Sequence, residues 1–217
     1  MDFPLLTAWV HTASAGSGAD EPAWIPPGGC QDLIGVQTPD GVTTWHVFAL
    51  AQRAETVCLP PGVSVRGYRL HPGSQVDDTT LLALTRHQPF EADAEVRTAL
   101  AHTSRLNPNV QEALHALAHA PSVAAAAHSL GVSLRTLERL THRHTQQPPG
   151  FWRGLARVRQ AARALTTPCP LAELAVDHGF SDQAHLNLAF RHWLGCTPTR
   201  LRASPEWLAL LSATGHG

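Results

Sequence analysis

Arg135, Arg139, His142 and Arg143 stand at i, i+4, i+7 and i+8, a spacing that lines them along one side of a helix. Leu134, Leu137 and Leu140 fall on the other side. A guanidinium donates two parallel hydrogen bonds to O6 and N7 of guanine, so a helix that is apolar behind and arginine-rich in front suits the major groove of duplex DNA. A second set follows downstream. Gln183, His185, Asn187 and Arg191 flank one side of a helix whose other side carries Leu186, Ala189, Phe190 and Trp193. Ala184 and Leu188 lie near the centre of that exposed side, where they can touch thymine methyl groups but offer no hydrogen bonds.

Each set needs a device to present it, and the chain carries the same device twice. A short apolar helix ends at Gly131 and again at Gly179, where the sharp turn calls for a positive φ that glycine adopts without a Cβ clash. Ser133 and Ser181 follow, and each is expected to cap the next helix. Between the two units, Pro148-Pro149 starts a helix that runs uninterrupted to Leu165 and stops before Pro168. At about 1.5 Å per residue it spans roughly 25 Å. Such a rod can hold two recognition helices about one DNA turn, roughly 34 Å, apart in successive major grooves. The candidate base-reading residues are Arg135, Thr136, Arg139, Gln183, Ala184, His185, Asn187 and Leu188. Ser133, His142, Arg143, Ser181 and Arg191 are the candidate phosphate contacts, since helix starts and exposed cations hold phosphate oxygens.

Residues 108–203 resemble the AraC/XylS family of bacterial transcription regulators. The family-like pieces are Trp152…Arg157-Val158-x-x-Ala161-x-x-Ala164-Leu165, then Leu171-x-Glu173-Leu174-Ala175-x-x-x-Gly179-Phe180-Ser181-Asp182, Leu186-x-x-x-Phe190-Arg191 and Gly195-Cys-Thr197-Pro198-x-x-Leu201-Arg202. The resemblance implies a tandem helix-turn-helix domain that binds double-stranded DNA in a sequence-specific way, with RNA polymerase as a further partner. Three positions depart from the pattern. Thr141 replaces a large aromatic, Gln146 replaces a helix-ending glycine, and Leu188 replaces a polar or basic residue. Base discrimination is therefore expected more from Arg135 and Arg139 than from the second helix.

The 217-residue chain has a formal net charge of −1, unusual for a nucleic-acid binder. The charge is unevenly placed: residues 107–217 carry +4 and residues 1–106 carry −5. A basic module joined to a different, acidic one fits this split. Ten of the fourteen histidines lie after residue 100; those in the reading heads gain charge toward pH 6, which predicts tighter DNA binding there than at pH 8. His142-x-His144 has no Cys or Glu at metal-ligand spacing, so no metal or cofactor is expected. Cys30, Cys58, Cys169 and Cys196 form no C-x-x-C and no disulfide framework. No apolar run approaches membrane-spanning length. Asp2 stands where a secretory leader would be basic, so a cytoplasmic location is expected.

The fold class expected is α+β: a small antiparallel β domain, barrel- or sandwich-like, over residues 1–85, a helical connector over 86–107, and an all-α domain over 108–217. Strands are expected at Leu5–His11, Gln31–Val36, Thr43–Leu50, Glu55–Leu59 and Val63–Leu70, with Asp40-Gly41 as a hairpin turn and residues 11–22 as a loop. Helices are expected at Asp77–His87, Glu91–His102, Asn109–His119 and Glu206–Leu211. Trp24-Ile25-x-Pro27-x-Gly29-Cys30-x-Asp32-Leu33-Ile34 and Gly67-Tyr68-Arg69-Leu70-x-Pro72-Gly73 resemble the short β-rich sensor domain of compact regulators. On that resemblance a small-molecule effector would meet Trp24, Trp45, His46, Tyr68 and Arg69. The competing reading of the same residues is core packing with satisfied polar tips. Cys30 and Cys58 are either oxidation sensors or inert strand cysteines.

Three functions compete on this reading. One is a sequence-specific transcription regulator, not an enzyme, acting as monomer or homodimer. The second is a DNA-repair type enzyme using an N-terminal Cys or His, against which stands the lack of a nucleophile–base motif, phosphate loop or metal spacing. The third is an interaction adaptor whose DNA binding is weakened by Thr141, Gln146 and Leu188.

Overall fold

The computed structural model describes residues 4–15, 19–212 and 215–217. Asp2, and residues 16–18 of the expected loop, lie outside the described residues.

Alternating side chains and glycine or proline turns build an antiparallel first half. Strands β1 (Leu5–Thr12), β3 (Asp32–Gln37), β4 (Thr43–Phe48) and β6 (Ser64–Leu70) form a sheet in the order β1-β6-β3-β4. Strands β2 (Glu21–Ile25) and β5 (Glu55–Leu59) form a separate ribbon, and β7 (Gln75–Val76) pairs with β8 (Ser104–Arg105). Asp40-Gly41 turns β3 into β4, with Gly41 at φ 87° and its N–H donating to Thr38 O. The register sets Ala8 and Leu33 opposite Tyr68, and Leu33 opposite Val47. Their common face is covered by α1 (Asp78–Thr85) and α2 (Asp93–Thr103), giving a core of Leu33, Trp45, Tyr68, Leu70, Leu81, Val96, Ala99 and Leu100.

The loop expected at 11–22 is a correction. β1 continues to Thr12 and β2 begins at Glu21. The strand was hidden because Pro22 reads as a breaker; in a two-stranded ribbon it sits where a missing donor is tolerated. Glu21 also ties the segment together, meeting His11 Nε2 at 3.1 Å and accepting from Ser14 N at 3.1 Å.

The second half is helical: α3 (Pro108–His119), α4 (Val123–Ser129), α5 (Leu134–Thr145), α6 (Pro149–Ala164), α7 (Leu171–Asp177), α8 (Gln183–Leu194), α9 (Pro198–Arg202) and α10 (Pro205–Ser212). Two cores share α6. Its first turn sends Trp152 into a cluster with Val110, Leu114, Leu117, Ala126 and Leu137. Val158, Ala161, Ala162 and Leu165 join Leu174, Phe180, Leu186, Phe190 and Leu201 in another.

Packing runs across the boundaries expected at 85 and 108. Trp24 of β2 belongs to the second of these clusters and stacks on Trp207 of α10 at 4.6 Å and 14°. Arg159 of α6 donates to Pro27 O and Leu211 O, each at 3.0 Å. His216 N donates to Gly28 O at 2.8 Å, and Ala54 N donates to Trp193 O at 2.7 Å. Gly29, at φ +70°, lies so close to the linker helix that a Cβ there would stand 2.7 Å from the Trp152 ring. The acidic half is thus keyed onto the rod, and burial pushes the Arg159 guanidinium down to about 10.

Candidate nucleic-acid interface

The two units close with the same hydrogen bonds. After α4, Gly131 N donates to His128 O at 3.0 Å and Val132 N to Ala127 O at 3.0 Å; after α7, Gly179 N donates to Val176 O at 3.0 Å and Phe180 N to Ala175 O at 2.8 Å. Gly131 has φ +67° and Gly179 φ +72°, the left-handed conformation that satisfies the orphan carbonyls of a helix end.

The turns differ in where the next helix begins. Ser133 caps α5, accepting from Thr136 N at 3.1 Å. In the second unit the expected cap at Ser181 is a correction: Asp182 caps α8, accepting from His185 N at 2.8 Å. One residue more separates glycine from cap, and a carboxylate there accepts from the free N–H groups while favouring the positive helix end. Ser181 Oγ instead meets His185 Nδ1 at 3.2 Å.

Arg135, Arg139, His142 and Arg143 are exposed along α5, behind which Leu137 is fully buried. Leu134, expected on the apolar back, is 48% exposed, because the first turn of α5 precedes its contact with the core. Thr136 is half-buried and its Oγ1 lies 2.9 Å from Ser133 Oγ, so this hydroxyl belongs to the cap. On α8, Gln183, Ala184, Leu188 and Arg191 are exposed, and Asn187 and His185 are half-buried. His185 packs edge-on against Phe180 at 5.3 Å. Leu188 is 65% exposed. None of Arg135, Arg139, Arg143 and Arg191 has an ion pair among the described residues. Their charges are therefore uncommitted and face solvent, as a phosphate- or base-contacting surface requires.

Of the three departures, Thr141 is buried and satisfies its hydroxyl on Leu137 O at 3.1 Å. Gln146 ends α5 in the left-handed conformation at φ 57°, its N–H on His142 O at 3.0 Å. A side chain in that conformation costs energy that glycine avoids. Gln146→Gly is expected to raise stability by about 0.5–1 kcal/mol, read as a higher urea midpoint; a lower midpoint would show that the Gln146 side chain supports the turn.

Sequence reading missed the residues that orient the heads. Arg153 and Arg157 are four apart on α6 and reach in opposite directions along the chain. Arg153 donates to Ala120 O at 3.3 Å and also to Pro121 O, at the end of α3. Arg157 donates to Gly179 O at 3.0 Å and lies 4.3 Å over the Phe180 ring. Gln160 adds a bond to Ala118 O at 3.0 Å. Trp193 of α8 packs 5.1 Å from Phe151. The rod thus grips the entry to the first unit and the turn of the second. The i, i+4 arginines on a helix with no nearby acids were the available signal.

The five effector candidates do not share one environment. Trp24 is stacked on Trp207. Trp45 and Tyr68 are core neighbours at 6.1 Å, with Trp45 Nε1 donating to Gln88 O and Tyr68 Oη to Asp93 Oδ1. Burial, reinforced by Asp93, pushes the Tyr68 phenol up to about 12. Arg69 makes a bidentate pair with Asp32 at 2.8 and 2.9 Å. His46 is exposed on β4 beside Thr44. Cys30 is buried and its thiol is pushed up to about 12 by desolvation, while Cys58 is exposed. No group of three His, Cys, Asp or Glu side chains converges to hold a metal ion among the described residues. No helix among them is long and apolar enough to cross a membrane.

Residues 126–204 match the family model described as "Helix-turn-helix domain". No curated protein matches the chain. Solved structures similar to it include the following two. The C-terminal domain of AraT, a response regulator from Geobacillus stearothermophilus, is 25% identical over 46% of this chain and 88% of that one, with a TM-score of 0.42. ToxT from Vibrio cholerae O395 is 8% identical over 96% of this chain and 98% of that one, with a TM-score of 0.49.

Proposed function

We propose, from the premise that residues 126–204 are an AraC-type helix-turn-helix domain and hence a DNA-binding module of a transcription regulator, that α5 and α8 read two major-groove segments on one face of the duplex. The observation that carries the reading is the pair of identically closed turns, each followed by a helix with one exposed polar face, with Arg153 tying α6 to the entry of the first unit and Arg157 tying it to the turn of the second. Arg135 and Arg139 supply most of the hydrogen-bonded readout. Gln183, Ala184, Asn187 and Leu188 add weaker, largely van der Waals discrimination. Ser133, His142, Arg143, Ser181 and Arg191 lie around these helices as phosphate contacts, and His185, half-buried against Phe180, joins them in place of the base-reading role expected for it. The modest positive charge of this half predicts a moderate rather than steep salt dependence.

The chain acts on DNA without chemistry of its own. A thiol held at about 12, as at Cys30, is no nucleophile at neutral pH. Two heads on one rod allow a monomer to bind, and RNA polymerase is the partner that a regulator of this kind would contact. Selection of bound sites from random duplexes tests the reading. The expected outcome is a recurrent site of roughly 15–20 base pairs with two conserved segments about one turn apart. Enrichment of a single short segment, or of none, would overturn the two-headed reading.

A further inference from the structure

The far end of the linker helix carries a cleft of about 530 Å³, within the roughly 300–1,000 Å³ range of small-molecule sites. Its walls come from both ends of the joint between the rod and the second head. Leu165 closes α6, Thr166, Pro168 and Cys169 form the connection, and Pro170 precedes α7. Arg202, the last residue of α9, and Leu208 of α10 complete it. Most of this lining is apolar.

Arg202 is the one cation in the lining. A guanidinium has five donors; here only Nη2 is engaged, on Cys169 O at 2.9 Å and near Cys169 Sγ at 3.8 Å. Its Nε is buried without a hydrogen-bond partner, and it has no carboxylate partner among the described residues. The half-buried arginines of the first half, Arg66, Arg69 and Arg97, by contrast each have a carboxylate partner, Asp93 or Asp32. A partly desolvated guanidinium without a counter-ion favours an anion. Apolar walls on the other sides favour a ligand with a hydrocarbon body rather than a bare inorganic anion.

We propose that this cleft binds a small organic anion, a carboxylate carried on an apolar body, and that its occupancy sets the pose of the second reading head. A carboxylate on Arg202 with its body against Leu165 and Leu208 would bridge α9, α10 and the end of α6 across the connection 166–170. Bracing that connection fixes α7 and α8 relative to the rod. The site also touches the β half indirectly, because Leu208 neighbours Trp207, which stacks on Trp24. The proposed effector site then lies in the DNA-binding half, at the joint between the linker helix and the second unit.

Titration calorimetry of the full chain at pH 7.5 with hexanoate, decanoate and benzoate, and with decanol as the uncharged control, tests this. A carboxylate is expected to bind at least tenfold more tightly than the alcohol, with affinity rising from hexanoate to decanoate. Arg202→Gln should weaken carboxylate binding at least tenfold. Thr166→Trp, at the exposed rim, should block the cleft while leaving Arg202 in place; circular dichroism melts confirm that both variants fold. Bound decanoate should slow iodoacetamide labelling of Cys169, followed by peptide mass, and leave the labelling of Cys58 unchanged. Equal affinity in all three proteins, or no heat and no protection up to millimolar ligand, overturns the proposal. So does Arg202→Gln weakening DNA binding while no carboxylate binds, since Arg202 would then be a phosphate contact. Because binding is read without DNA, a failed site selection and a failed titration are separate results.

Discussion

Arg135→Ala with Arg139→Ala is expected to erase the preference for the selected site while leaving the fold intact. Each bidentate arginine–guanine contact is worth about 1–3 kcal/mol of discrimination, so the pair together amounts to roughly 30-fold to well over a thousandfold. Both side chains are exposed and have no ion pair among the described residues, and exposed substitutions of this kind usually move stability by less than about 0.5 kcal/mol. Competition binding against the selected duplex and a scrambled one separates the terms. Loss confined to the selected duplex is the expected result. An even loss on both duplexes, with the salt slope reduced by about one per residue, would make these residues phosphate contacts and move base reading to α8. The companion variant Leu188→Ala should change the preference several-fold at most, because it removes only apolar contact.

Acid is expected to loosen the lock between the two halves, and His216 is the group that makes it do so. Its ring packs edge-on against Trp152 at 4.9 Å, its Nε2 lies 3.0 Å from Trp152 O, and its N–H bonds Gly28 O. Burial first, then the charges of Arg159 and His119, holds it down to about 4. In the unfolded chain the same imidazole takes its proton near pH 6.5. Between these values only the unfolded chain is protonated. Stability is therefore complete above about pH 7 and falls as the pH drops from 6.5 toward 4, by on the order of 3 kcal/mol. His178, held down mainly by burial, acts in the same direction. Asp93, held low by Arg97 and Tyr68, contributes stability that is lost only at lower pH, below the ordinary carboxylate range. Urea midpoints at pH 7.5, 6 and 4.5 measure the slope. His216→Phe should be less stable at pH 7.5, through the lost bond to Trp152, yet show a flatter decline. A slope as steep as that of the parent chain would place the titration elsewhere. Most of the loss falls below pH 6, so the tighter DNA binding expected from the reading-head histidines is testable between pH 8 and 6 with the fold in place.

The helix-turn-helix units were legible because each rests on local rules. Gly131 and Gly179 must turn, Ser133 must cap, and the 3.6-residue period puts Leu137 inside and Arg135 outside whatever lies beyond. Five strands and the Asp40-Gly41 hairpin were legible for the same reason, since alternation and turn chemistry act within a few residues. The errors were also local in origin. Ser181 and Asp182 are both competent caps, and the choice fell to the side chain that reaches His185 N in the folded turn. Pro22 masked a strand whose partner, β5, lies more than thirty residues away.

The chain's order of residues thus settled the two helix-turn-helix units and the helix between them, because those features depend on neighbours three or four positions apart. It was silent on the grip of Arg153 and Arg157, on the insertion of Trp24 and residues 27–29 against α6, and on the burial of His216. Each of those joins segments separated by twenty to nearly two hundred positions. Their energies depend on which surfaces happen to meet once both halves are built, and no local period encodes that meeting.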